Sequence, residues 1–255
     1  MRSVTLLGCV LVSAMVLAGC QLPGSGGGRV GSAAKQLLDP REHAKLVVEI
    51  DYPVGYGPNA QAKQVLKDAL VQVTGRDASQ VEFVEEAEIP AEAGKKYTLN
   101  EIVALEDEHR DRKTGGDTAA LYVLYVAGGS TDDGGDSRVL GLAYRGTSIA
   151  MLKGNIKDAS KSGLLSTRPD EQCVERSVLV HEFGHAAGLV NLGAPMVSPH
   201  EDGGHPGHSS NKESVMYYAV ENTVDLLSLF TGGCSDIPYR YDGNDLADLS
   251  ALRNS

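Results

Sequence analysis

Residues 181–185 read His-Glu-Phe-Gly-His. In a helix, side chains four apart stand on one face, so His181 and His185 can reach one tetrahedral ion. Glu182, one position on, projects beside that ion within reach of a water held there. Chance supplies roughly 0.03 such patterns in a chain of this composition, and the apolar residues Val178, Leu179 and Val180 just before it call for a buried helix. Of seven histidines, only His43 and His109 lie outside residues 181–208. His200, His205 and His208 are therefore the candidates for a third imidazole, while Asn191 offers only an amide oxygen, a weak zinc ligand. Three neutral imidazoles leave a fourth position open for water, which is the arrangement hydrolysis requires.

Gly188 stands where a helix can end in a left-handed turn and send the chain back. The run from His181 through Gly188 resembles the metzincin metallopeptidases, whose pattern is H-E-x-x-H-x-x-G-x-x-H with a Met-turn downstream. Asn191 stands where that family has its third histidine. Val215-Met216-Tyr217-Tyr218 resembles the Met-turn, and the spacing from His208 to Met216 is similar to the archaemetzincin pattern H-C-x-x-x-x-C-x-M, with Ser209 and Ser214 in the cysteine places. That family's second zinc site therefore cannot form here in the same way. On this register His208 is the third ligand, with His205, His200 and Asn191 as alternatives.

The resemblance implies one catalytic zinc ion, with Glu182 moving the proton in peptide-bond hydrolysis. It implies Met216 packed under the metal, and Tyr218 where some metzincins have a tyrosine touching zinc or oxyanion. It also implies an antiparallel edge strand of Val139, Leu140, Gly141, Leu142, Ala143 and Tyr144, beside which an extended peptide substrate adds as a further strand. Two other readings stand beside it. Glu221, four before Asp225, has the E-x-x-x-D form of gluzincins, in which a downstream glutamate is the third ligand. A non-catalytic zinc-binding surface lipoprotein would close all four positions and have no use for Glu182.

These residues need a scaffold, and the apolar pattern supplies one. Residues 45–52, 81–84, 119–126, 139–144 and 147–152 read as strands, the third a continuous apolar run suited to burial on both faces. Residues 59–73 carry an apolar stripe at helical spacing, Thr98 and Glu101 form a capping box opening a helix to about residue 112, and longer patterns predict helices over 170–189 and 244–252. The expected fold is α/β and metzincin-like: a mostly parallel twisted sheet, an antiparallel edge strand, an active-site helix and a loop-rich C-terminal part. Asp132, Asp133 and Asp136 lie in a Gly-rich stretch whose spacing is that of a solvated turn and not of a calcium loop.

Arg2, an apolar run over residues 4–17 and then Leu17-Ala18-Gly19-Cys20 read as a signal peptide too short to span a bilayer. Its end resembles the bacterial lipobox, which makes Cys20 the lipidated N-terminus, anchored to a membrane. Gln21 points to the outer membrane or cell surface. The glycine-rich residues after it read as a flexible tether of about 20 Å reach. Residues 1–19 are thus signal, 20–35 anchor and tether, and 36–255 one metallopeptidase domain. Cys9 leaves with the signal, so Cys173 and Cys234 remain to pair as a disulfide in an oxidising compartment. A net charge of −11, no Trp and 5% aromatic residues exclude nucleic acid as a partner.

Overall fold

A computed structural model describes residues 28–161 and 167–255. The export signal, Cys20 and the tether as far as residue 27 lie outside the described residues. The folded chain begins earlier than the tether was expected to end. A Cβ on Gly31 would stand 2.5 Å from Leu192 O, and the short helix α1 (Ala34–Leu38) buries Ala34, Leu37 and Leu38.

In chain order there follow β1 (Lys45–Asp51), α2 (Ala60–Thr74), β2 (Val81–Glu86), β3 (Lys96–Tyr97), α3 (Leu99–His109), β4 (Thr118–Val126), β5 (Gly129–Ser130), β6 (Gly141–Tyr144), β7 (Ser148–Leu152), α4 (Lys153–Ala159) and α5 (Glu171–Ala186). The C-terminal part holds β8 (Glu201–Asp202), β9 (His205–Ser209), α6 (Thr223–Leu229) and α7 (Gly243–Asn254). The main sheet runs β2-β1-β4-β7-β6, parallel throughout except for β6, which pairs antiparallel with β7 at the edge. β4 lies between β1 and β7, and its residues Ala119 to Val126 are all buried, as a strand covered on both faces must be. One core face holds α1, α2 and α5; the other packs α3 against Tyr122, Leu124 and Val126.

Local chemistry explains the boundaries. Asn59 caps α2 by accepting from Gln61 N, and Gly75 ends it at φ +68°. The Thr98–Glu101 capping box opens α3 as expected, but the helix stops at His109, short of residue 112. There the buried Glu49 carboxylate takes the N–H groups of Asp111 and Arg112, both at 2.7 Å, and draws the chain out of helical conformation. The edge strand begins at Gly141 and leaves out Val139 and Leu140: Leu140 O still accepts from Leu152 N, but its N–H goes to Glu221 O and Val139 bridges Asn222, so the regular ladder starts one residue later. Asp133 is an organiser of its loop: its carboxylate accepts from Ser130 N, Val139 N and Asn155 Nδ2. Among the described residues no helix is long and apolar enough to cross a membrane.

Candidate metal centre

The helix α5 is buried from Cys173 to Ala186, with the sheet edge on one side and the C-terminal part on the other. Its polar residues are anchors. Glu175 takes hydrogen bonds from Tyr125 Oη at 3.0 Å and Asn59 N at 2.8 Å and pairs with Lys153, while Ser177 Oγ donates to Pro238 O at 2.6 Å. Cys173 and Cys234 are bridged, with Cα atoms 5.5 Å apart. The helix is thus fixed along its length before it presents His181, Glu182 and His185.

It ends at Ala186, and Gly188 at φ +89° reverses the chain. A Cβ at that position would lie 2.7 Å from Ala194 N, so glycine is required there for space as well as for backbone angle. Gly184, inside the motif, has a different use. A Cβ there would stand 2.3 Å from Met216 Sδ, so the helix rests directly on a methionine that is itself fully buried. Ser209 and Ser214 hold this turn together: Ser214 Oγ accepts from Met216 N at 2.9 Å and donates to Asp245, and Ser209 Oγ accepts from Asn211 N.

His181 Nδ1 donates to Val215 O at 2.6 Å and His185 Nδ1 faces Leu189 O at 3.3 Å. Both Nε2 lone pairs are then turned inward, and the two Nε2 atoms stand 3.0 Å apart. Two lone pairs at that distance repel unless a cation lies between them. His208, 3% exposed, stacks on His181 with ring centroids 5.3 Å apart and meets His185 edge-on at 5.0 Å. Neither of its ring nitrogens makes a hydrogen bond. The structure therefore brings His208 to the other two imidazoles, and not His200, His205 or Asn191. His200 is buried between Asp245 and Asp248, His205 pairs with Asp202 on the surface, and Asn191 is exposed in a left-handed backbone conformation.

A fourth donor joins them. Glu221 Oε1 lies 2.8 Å from His208 Nε2, 3.6 Å from His185 Nε2 and 3.8 Å from His181 Nε2, and these four groups form one cluster able to hold a metal ion. The gluzincin form has Glu221 in place of His208 and on a helix. Glu221 is instead an addition to His208, and it precedes α6 at the end of a short 3-10 turn, Tyr218–Val220. Tyr218 stacks on His205 at 3.6 Å between ring centroids, and its phenol, hydrogen-bonded to Tyr217, is pushed up to about 12. The hairpin of β8 and β9 that carries His208 is too short to show a strand period in the sequence. Its one signal is Asp202-Gly203-Gly204, where the Asp202 carboxylate accepts from Gly204 N at 2.7 Å and His205 N at 3.0 Å.

Electrostatics fit a cation at this point. Burial lowers His181 to about 4, so its imidazole is neutral and available as a donor. Burial would raise the Glu221 carboxyl, but the three imidazoles outweigh it and hold the group well below its ordinary value; burial would likewise lower His208, and Glu221 reverses that. Glu182 is 2% exposed with Oε1 unpartnered. Burial first, then the Glu221 charge, raises its carboxyl well above the usual range, while the N–H of Ala143 on β6 opposes this. A Cβ on Gly141 would stand 2.9 Å from Glu182 Cγ, so the edge strand lies against the helix because that residue is glycine. Three imidazole nitrogens and one carboxylate oxygen are donor types that zinc takes in a tetrahedral site.

No protein-family model matches the chain, and no curated protein matches it. Among solved structures it is similar to the crystal structure of archaemetzincin from Methanopyrus kandleri at 15% identity, covering 84% of this chain and 97% of that chain, with a TM-score of 0.49. No residue's role follows from a likeness of this size.

Proposed function

We propose that this chain is a zinc-dependent endopeptidase, exported and held at a membrane surface through lipid on Cys20. The observation that carries the reading is the convergence of His181, His185 and His208 beside a buried carboxyl, Glu182, whose Oε1 has no partner. The chemistry a zinc ion supplies to such a donor set is Lewis-acid polarisation of a carbonyl and acidification of a water.

The rest is done by the chain. Burial keeps the His181 imidazole a neutral donor, and backbone carbonyls at Nδ1 turn the Nε2 atoms of His181 and His185 inward. Glu182 takes the proton of the attacking water and returns it to the leaving amine, a task suited to a carboxyl whose pKa is raised. β6 lies at the edge of the main sheet, and its outer side is where an extended peptide would align.

Replacing Glu182 with Gln is the central test. The variant keeps stoichiometric zinc by elemental analysis and loses at least about 100-fold in kcat on a peptide that the wild type cuts in a chelator-sensitive way. Undiminished cleavage by the variant overturns the role of Glu182. For the anchor, Cys20→Ser moves the chain from the detergent phase to the aqueous phase on partitioning; unchanged partitioning overturns lipidation at Cys20.

A second reading, a closed zinc site without turnover, is favoured by one observation: Glu221 supplies a fourth protein donor. It leaves Glu182 without a purpose.

A further inference from the structure

Four donors close a centre, yet a buried carboxyl stands next to it as if the centre were to be open. The position of Glu221 is built. Its backbone O accepts from Leu140 N at 3.0 Å, Asn222 bridges Val139, and Thr223 N donates to Arg138 O at 3.0 Å. The Thr223 hydroxyl accepts from Arg138 N and donates to Asp136 O, each at 3.0 Å. Residues 221–223 are thus strapped to the stretch that leads into β6, while the Glu221 side chain keeps about a third of its surface in solvent. Around a tetrahedral zinc with bonds near 2.1 Å, donors stand about 3.4 Å apart. The separations of 2.8 Å, 3.6 Å and 3.8 Å from Glu221 to the imidazoles bracket that value.

We propose that Glu221 is a displaceable fourth ligand, a latch that the strap of residues 221–223 holds on the metal, so that the centre is closed at rest and opens when this carboxylate leaves. This rests on the peptidase reading. Displacement breaks one metal–carboxylate bond, frees one coordination position for water or a substrate carbonyl, and leaves His181, His185 and His208 in place. Glu221 is the one member of the cluster with a partly exposed side chain, which gives its carboxylate a side toward solvent that the buried imidazoles lack.

The test uses the whole chain loaded with cobalt(II), which reports its coordination by visible absorption, and acetohydroxamate as a probe for an open position. Glu221→Gln keeps one metal per chain, shifts the cobalt bands, binds acetohydroxamate at least tenfold more tightly than wild type, and in the zinc form raises kcat/KM on a peptide at least tenfold. Adding Glu182→Gln returns cleavage to nothing. A second variant loosens the strap without touching a donor. Thr223→Pro removes the N–H given to Arg138 but sits at the first position of α6, where proline is tolerated, after an extended Asn222. It gives a smaller gain in acetohydroxamate affinity.

The latch is overturned if Glu221→Gln loses the metal, since the carboxylate is then an obligatory ligand. It is also overturned if bands and acetohydroxamate affinity match wild type, since the carboxylate is then no ligand. A gain in acetohydroxamate binding with no cleavage by any variant keeps the latch and removes the peptidase reading. A chain that binds no metal removes both.

Discussion

His181 and His200 both give Nδ1 to a backbone carbonyl, Val215 O at 2.6 Å and Ser198 O at 2.9 Å, and both turn Nε2 into a buried space. What faces that nitrogen differs. His181 meets two further imidazoles and one carboxylate, that of Glu221, whose side chain keeps about a third of its surface in solvent. His200 meets two carboxylates, with Asp245 Oδ1 at 3.5 Å and Asp248 Oδ2 at 3.7 Å, and all three residues are sealed. One proton in the gap satisfies the second arrangement, because a single lone pair then faces acceptors through an N–H or O–H. The first arrangement sets the inward lone pairs of His181 and His185 beside a third imidazole and a carboxylate, a donor set suited to an ion of higher charge. Residue types alone do not separate the clusters; the ratio of imidazoles to carboxylates and the exposure of Glu221 do.

The sharpest way to break that contrast is to delete one histidine from each cluster. His208→Ala lowers zinc affinity by at least about 100-fold, more than the loss of an outer-sphere partner would bring. His200→Ala keeps one zinc per chain but destabilises the fold by about 3 kcal/mol, since two buried carboxylates then face each other without a partner. Competitive zinc titration and urea unfolding read the two effects. If the outcomes are exchanged, the assignment of the metal to the first cluster fails.

A smaller effect sharpens the second cluster. Burial raises Asp245 from 3.8 to about 6, against the hydrogen bonds from Ser214 and Asp242 that lower it. The folded state therefore holds this proton more tightly than the unfolded chain. Its contribution to stability is fully present below about pH 4 and is lost as pH rises through 6. Asp245→Asn removes that loss: relative to wild type it is equal near pH 4 and more stable by about 2–3 kcal/mol at pH 7. A difference in unfolding free energy that does not change between pH 4 and pH 7 counts against the proton-sharing account.

How far the sequence exposed all this depends on the kind of signal each part carries. The α/β architecture, with one antiparallel edge strand, was legible because Val48, Leu121 and Ile149 belong to runs whose periodicity is local. His181, Glu182 and His185 were legible because four-residue spacing is itself a geometry. Glu221 was legible only as a rival to His208, because one reaches the centre from the end of a 3-10 turn and the other from a five-residue strand, each too short for a period to link position to direction. α6 is seven residues long and β8 two, too short to show a period, and the pairing of residues 221–223 with 138–140 joins stretches more than 80 residues apart. Ser209 and Ser214 read as missing cysteines; in the fold their hydroxyls tie the methionine turn to its neighbours, a role spacing could not announce.

The bridge between Cys173 and Cys234 closes a ring whose ends are 61 residues apart, and every member of the centre lies inside it: His181, Glu182, His185, His208, Met216 and Glu221. Loop-closure reckoning puts the entropy removed from the unfolded chain at about 4 kcal/mol. The effect on the ion is separate. If the surrounding sheet opens, this ring keeps the four donors confined to a smaller volume at a raised effective concentration, which would favour rebinding of an ion held there. In a reduced chain, with its ring cut, the same opening would disperse the donors.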